Sequence, residues 1–261
     1  MMTDYSIIDR PFLLKSLFFP RQEHRDSPPH GYDRFVPVEE GISIGCRFYP
    51  KEKGCPWILY FHGNGEVVSD YDEIAPLYNQ HNMNLVVADY RGYGASGGEP
   101  AFAHLIKDAH RIYEEVKGEL EKEEGFSGLW IMGRSLGSIS ALELAYHYGV
   151  ETKGLIIESG FISAVRLIRH FNLPSPGIDL DRLDSQCVEM VKNIDVQALI
   201  IHGQHDRIVP LEEGKALYEN LGSSLKEMEV IPYADHNNIM FLGLDQYFRV
   251  IGKFMAKTSR R

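Results

Sequence analysis

From residue 35 onward the chain alternates short apolar runs with stretches of helical periodicity. Residues 35–39 and 42–49, with Glu40-Gly41 between them, predict a hairpin. Trp57-Ile58-Leu59-Tyr60-Phe61 is apolar throughout, as a strand covered on both faces must be. Leu85-Val86-Val87-Ala88, Leu129-Trp130-Ile131-Met132, Leu155-Ile156-Ile157, Leu199-Ile200-Ile201 and residues 225–231 extend the series. Between the strands, Ser69 with Asp72 three residues on predicts a capped helix running towards His81. Residues 103–123, 139–148, 211–221 and 237–257 predict further helices. Strand and helix in alternation, with short connections, give an α/β fold. Its sheet is doubly wound and mostly parallel, with the hairpin as an antiparallel N-terminal edge.

Two stretches stand outside this rhythm. Residues 161–195 hold two weakly amphipathic pieces around Asn172-Leu173-Pro174-Ser175-Pro176-Gly177 and fit no strand, so they predict a short cap insertion. The organisation expected is an N-terminal segment, 1–34, packed on a single domain, 35–261. The apolar run of that segment, Phe12 to Leu14 and Leu17 to Phe19, is split by Lys15 and ended by Pro20. That is too short for a membrane span and lacks a small-residue cleavage site. Packing on the domain is the reading preferred over contact with a membrane surface.

Composition narrows the classes of partner. The 261 residues carry 27 Lys and Arg against 37 Asp and Glu, a formal charge of -10, which suits neither nucleic acid nor an anionic membrane. The three cysteines, Cys46, Cys55 and Cys187, have no metal-ligand spacing and are expected as reduced thiols in a cytoplasmic protein. Neither a metal cluster nor a dinucleotide fingerprint is present in the sequence, so no metal and no cofactor are expected. Oligomeric state is not legible.

The candidate chemistry gathers at strand ends. Gly133-Arg134-Ser135-Leu136-Gly137 follows an apolar strand and opens a helix, the pattern of a nucleophile elbow. There the flanking glycines make room, and the serine backbone is forced into a strained conformation that lifts its hydroxyl. Serine needs a base to take its proton, and the base needs an acid to orient it. Asp206 lies just beyond the Leu199 strand and His236 just beyond the last strand, each on the side of the sheet where a doubly wound fold gathers its site. Each has a structural alternative, Asp206 as a turn or cap residue and His236 as a helix-start histidine. For the oxyanion, the amides of Asn64 and Leu136 are the expected donors, with Gly65 as the fallback. Gly63 and Gly65 free the loop to turn its amides inward, and Glu66 is expected to brace it. Gly63, Gly65, Phe161 and Ile162 are the expected substrate contacts, although Phe161 and Ile162 are equally explained as the core of the cap.

These motifs together resemble the α/β-hydrolase superfamily over about residues 35–255, in particular its small-cap serine hydrolases near the esterase and prolyl-oligopeptidase-like branches. His62-Gly63-Asn64-Gly65 is similar to their oxyanion loop. Asp89-Tyr90-Arg91-Gly92-Tyr93-Gly94-Ala95-Ser96 is similar to the loop after their fourth strand, and His202-Gly203-Gln204-His205-Asp206 to their acid loop. The resemblance implies a Ser135–His236–Asp206 triad that cleaves a small carboxylic ester or thioester through an acyl-enzyme. Peptide or amide hydrolysis, or a non-catalytic binding scaffold, are the alternatives.

Overall fold

The computed structural model describes residues 3–258. Eight strands form one sheet: β1 (Tyr32–Glu39), β2 (Ile42–Tyr49), β3 (Trp57–Phe61), β4 (Asn84–Ala88), β5 (Leu129–Arg134), β6 (Gly154–Glu158), β7 (Ala198–Gly203) and β8 (Lys226–Ile231). Their order is β1-β2-β4-β3-β5-β6-β7-β8. The hairpin pairs antiparallel, and β2 meets β4 antiparallel. The pairs β3–β4, β6–β7 and β7–β8 are parallel. The fold is therefore the α/β architecture expected, with its antiparallel edge.

The chain divides into two compact units, one of residues 5–130 and one of residues 3–4 with 131–258. The first contains β1 to β4 with helices α1 (Pro11–Leu17), α2 (Ala75–Gln80) and α3 (Phe102–Leu120). Its hairpin turns where predicted, through Gly41 at φ 74°, a backbone conformation that glycine adopts without strain. Strands β3 and β4 are buried at every position, which is why they read as unbroken apolar runs. The helix predicted from a Ser69 cap does not form there. Val68–Tyr71 is a 3-10 turn, Ser69 donates to Glu23 Oε1 at 3.0 Å, and α2 begins only at Ala75, with Pro76 in its first turn. Helix α3 has alanine at its N-cap position. Its first amides, those of Phe102 and Ala103, instead donate to the Asp9 carboxylate at 2.8 and 3.1 Å. Tyr5, Ile8, Leu13 and Leu17 of the N-terminal segment are buried.

The second unit holds α4 (Ser138–Tyr148), α5 (Ala164–His170), α6 (Leu180–Lys192), α7 (Leu211–Asn220) and α8 (Ile239–Thr258). Helices α5 and α6 make up the stretch expected as a cap. They are tied together where Asp184 accepts from Ser163 Oγ at 2.5 Å and Arg166 Nε at 2.8 Å. Helix α8 starts two residues later than its pattern predicts and is broken at Gly243 (φ -125°, ψ 27°). A side chain on Gly243 would lie 2.5 Å from Ile231 Cγ2, so a close approach to β8 holds this break.

Candidate active site

Ser135 occupies the turn between β5 and α4 with φ 50°, a left-handed backbone that costs a serine about 1 kcal/mol or more. The glycine before it is required by space. A Cβ on Gly133 would meet the Gly137 carbonyl oxygen at 2.4 Å and Ala141 Cβ at 2.7 Å. The turn is closed by Ser138 Oγ, which donates to the Ser135 carbonyl at 2.6 Å.

Asp206 follows β7 in a tight turn. Its Oδ1 accepts from the amides of Ile208 and Val209 at 3.0 and 2.8 Å, which leaves Oδ2 to face His236 Nδ1 at 2.7 Å. His236 Nε2 lies 3.0 Å from Ser135 Oγ. Burial pushes the Asp206 carboxyl up, but the hydrogen bond and charge of His236, with the Val209 amide, outweigh it and hold it below its ordinary value. An ionised Asp206 takes the Nδ1 proton as its donor, so the lone pair of His236 is at Nε2, aimed at the serine hydroxyl. All three groups are at least nine-tenths buried.

A second histidine, His202, lies beside this turn. Its Nε2 donates to the Val209 carbonyl at 2.8 Å, and burial holds its pKa below the ordinary 6.5. A neutral His202 shapes the acid loop from beneath. It makes no bond to Ser135.

In the first unit, the loop after β3 is braced as expected. Glu66 Oε2 accepts from the Gly63 amide and from the Tyr71 hydroxyl, both at 2.8 Å. Gly63 was expected to meet substrate, but its amide is committed to Glu66. The Asn64 side chain is also committed: Oδ1 accepts from the Phe19 amide at 3.0 Å and the Tyr93 hydroxyl at 2.6 Å, while Nδ2 donates to the Leu17 carbonyl at 2.8 Å. Gly65 sits at φ 79°. Leu136 lies in the 3-10 turn Ser135–Gly137 and is buried. Phe161 and Ile162, expected as substrate contacts, are 0% and 1% exposed. They belong to the core because the chain turns inward straight after β6, and the exposed aromatic residue of this stretch is Phe171.

One contributor has no distinct signal in the sequence. Arg134, the variable position of the elbow, donates from Nε to Glu158 at 3.0 Å and from Nη2 to the His236 carbonyl at 2.6 Å. Its partners Glu158 and His236 are 24 and 102 positions away, where only tertiary folding can bring them.

With this geometry in place, the comparisons are specific. The family model described as serine aminopeptidase, S33 (Hydrolase_4) matches residues 53–177 and 176–240. The chain belongs to the α/β-hydrolase superfamily. Among similar proteins, bem46 of Schizosaccharomyces pombe is 30% identical over 211 residues, covering 78% of this chain and 68% of bem46. The lysophosphatidylserine lipase ABHD12 of Danio rerio is 27% identical over 246 residues, 78% of this chain and 63% of ABHD12. Human ABHD12B is 27% identical, and the chain spans 65% of its length. Among solved structures, the Pyrococcus furiosus esterase Pf2001 superposes with a TM-score of 0.73 at 16% identity, over 91% of this chain and 98% of that one. Est1E from Butyrivibrio proteoclasticus, solved with ferulic acid, gives 0.71 at 17% identity, over 87% and 100%. At such identities the likeness is one of fold. Within the described residues no helix is long and apolar enough to cross a membrane.

Proposed function

We propose that this α/β hydrolase is a serine hydrolase that cleaves a carboxylic ester or thioester of a small acyl substrate. One observation carries the reading: a continuous hydrogen-bonded line runs from the Val209 amide through Asp206 and His236 to Ser135 Oγ. Ser135 Oγ attacks the acyl carbonyl while its proton passes to His236 Nε2. Asp206 keeps the imidazole in the required tautomer and stabilises the imidazolium. The amide of Leu136, next after the nucleophile, is the proposed donor to the oxyanion. Collapse of the tetrahedral intermediate expels the alcohol or thiol, which takes its proton from His236. Water, deprotonated by His236, then attacks the acyl-enzyme and releases the acid.

An ester substrate is favoured by the named activity of the ABHD12 relative, which is the hydrolysis of a lipid ester. The description of the matching family model, serine aminopeptidase, favours a second reading: amide hydrolysis by the same three residues. Cys46, Cys55 and Cys187 form no disulfide, which fits a reducing compartment such as the cytoplasm.

The test is labelling by a fluorophosphonate probe, with the adduct mapped by mass spectrometry. It is followed by turnover of p-nitrophenyl esters, acyl thioesters and aminoacyl p-nitroanilides. An adduct on Ser135 that requires His236 supports the reading. A folded protein that takes no probe leaves a binding scaffold, and turnover of anilides over esters makes it an amidase.

A further inference from the structure

We propose that Arg134 is a positioning residue that holds His236 in line with Ser135, an inference that rests on the serine-hydrolase reading. His236 stands on a stretch with few anchors of its own. Five of the six residues of β8 before it are only half-buried, Tyr233 takes φ 61° with an exposed ring, and Phe241 and Leu242 beyond are exposed. Within the loop, the amides of Asn237 and Asn238 donate to Asp235 Oδ1 at 2.9 and 3.1 Å. These bonds shape the turn and fix nothing to the sheet. The first half of the loop is tied to the end of β7, where Gln204 Oε1 accepts from the Tyr233 amide at 3.1 Å and the His205 amide donates to the Ala234 carbonyl at 2.7 Å.

The second half, which carries the base, is tied through Arg134. Its Nη2 donates to the His236 carbonyl at 2.6 Å and to Asn237 Oδ1 at 3.2 Å. Its Nε donates to Glu158 Oε1 at 3.0 Å, and the other Glu158 oxygen accepts from the Tyr247 hydroxyl at 2.7 Å. Arg134 and Glu158 side chains are 11% and 4% exposed, so the pair is held in a dry setting where its attraction is strong. The anchor therefore has three points: the end of β6, the body of α8, and the backbone of the base itself. Arg134 adjoins Ser135 in the chain, so its guanidinium transmits the position of the nucleophile strand to the base loop. A planar fork can bond a carboxylate and a carbonyl together, whereas an ammonium serves them only as a point charge. Since misplacement by about 1 Å costs roughly 10²-fold in rate, the tie acts on turnover more than on binding.

The experiment uses the full chain with Arg134→Lys and Arg134→Ala. Steady-state turnover of p-nitrophenyl butyrate, the rate of fluorophosphonate labelling, thermal unfolding, and the downfield proton-NMR signal of His236 Nδ1–H are followed together. Arg134→Lys keeps a positive charge beside Glu158 and so separates positioning from folding. The expected result is a drop in kcat of about 10- to 100-fold in both variants, with KM within about twofold. The downfield signal should broaden or vanish in both, while it stays sharp in Ser135→Ala. Ethylguanidinium should restore part of the activity of Arg134→Ala and none of that of Ser135→Ala. Folded variants with wild-type kcat and an undisturbed His236 signal would overturn the proposal, as would losses that fall on KM alone. If the wild type itself takes no probe, the hydrolase reading fails, and the NMR signal decides the Arg134 tie without it.

Discussion

Each unit of the molecule contains a buried His–Asp pair at the end of a strand. In the first, His62 Nε2 and Asp89 Oδ1 are 3.1 Å apart and both side chains are fully buried. In the second, His236 Nδ1 and Asp206 Oδ2 are 2.7 Å apart, nearly as deep. In both, backbone amides help hold the carboxylate: that of Val68 on Asp89, those of Ile208 and Val209 on Asp206. The difference lies at the other ring nitrogen. His62 Nδ1 faces the carbonyl of Gly63 at 2.8 Å, and the ring is packed against Tyr90 with centroids 4.5 Å apart. His236 Nε2 faces a hydroxyl at 3.0 Å instead. One pair closes on its own backbone and braces a loop, while the other ends on a group that can give up a proton. A carboxylate behind an imidazole is thus not enough for general-base chemistry, because what the far nitrogen meets decides it.

The largest test of this contrast removes the hydroxyl. Ser135→Ala should lower turnover roughly 10⁶-fold and abolish probe labelling, with unfolding unchanged. Next, Asp206→Asn should cost about 10⁴-fold in kcat by allowing the wrong imidazole tautomer, whereas Asp89→Asn should leave kcat of the folded protein near wild type. The loss at Asp89 should appear in urea denaturation, at about 1–3 kcal/mol for donors left unpaired in a buried site. Equal losses of kcat in the two variants would break the contrast. A third variant, Gly133→Ala, places a methyl 2.4 Å from the Gly137 carbonyl. It should cost about 1–3 kcal/mol of overpacking and slow the labelling of Ser135.

The smallest effect is one of pH. Burial holds His202 below its ordinary 6.5, so as pH falls the unfolded chain takes the proton first. Stability contributed by the neutral ring is therefore full above pH 6.5 and declines as pH drops below it. Asp206, whose folded value is depressed, adds to the decline only further into acid, below its ordinary 3.8. Melting temperatures measured between about pH 7.5 and 5.5 should fall in the wild type and flatten in His202→Gln. A wild-type curve that stays level over that interval removes His202 as the cause.

The strands of the sheet were legible because burial on both faces forces an unbroken apolar run, as at residues 57–61 and 198–201. The elbow was legible because its steric demand is local: glycine four residues from glycine, with serine between. Ser69 misled because a cap motif is only a local preference, and here the hydroxyl is drawn off by Glu23, 46 positions away. Helix α3 was bounded well enough, yet its cap comes from Asp9, which no neighbouring residue announces. Phe161 and Ile162 looked equally suited to a substrate wall and to a core, and burial chose the core.

The sequence alone determined the order of strands and helices, the serine turn and the two strand-end positions of Asp206 and His236, since each depends on periodicity or on contacts within a few residues. Only the tertiary structure decided that Asp206 meets His236 while Asp89 meets His62, and that Arg134 reaches the carbonyl of His236 across 102 positions. A hydrogen bond is made or missed within a few tenths of an ångström, and that precision comes from the packed sheet rather than from any stretch of chain.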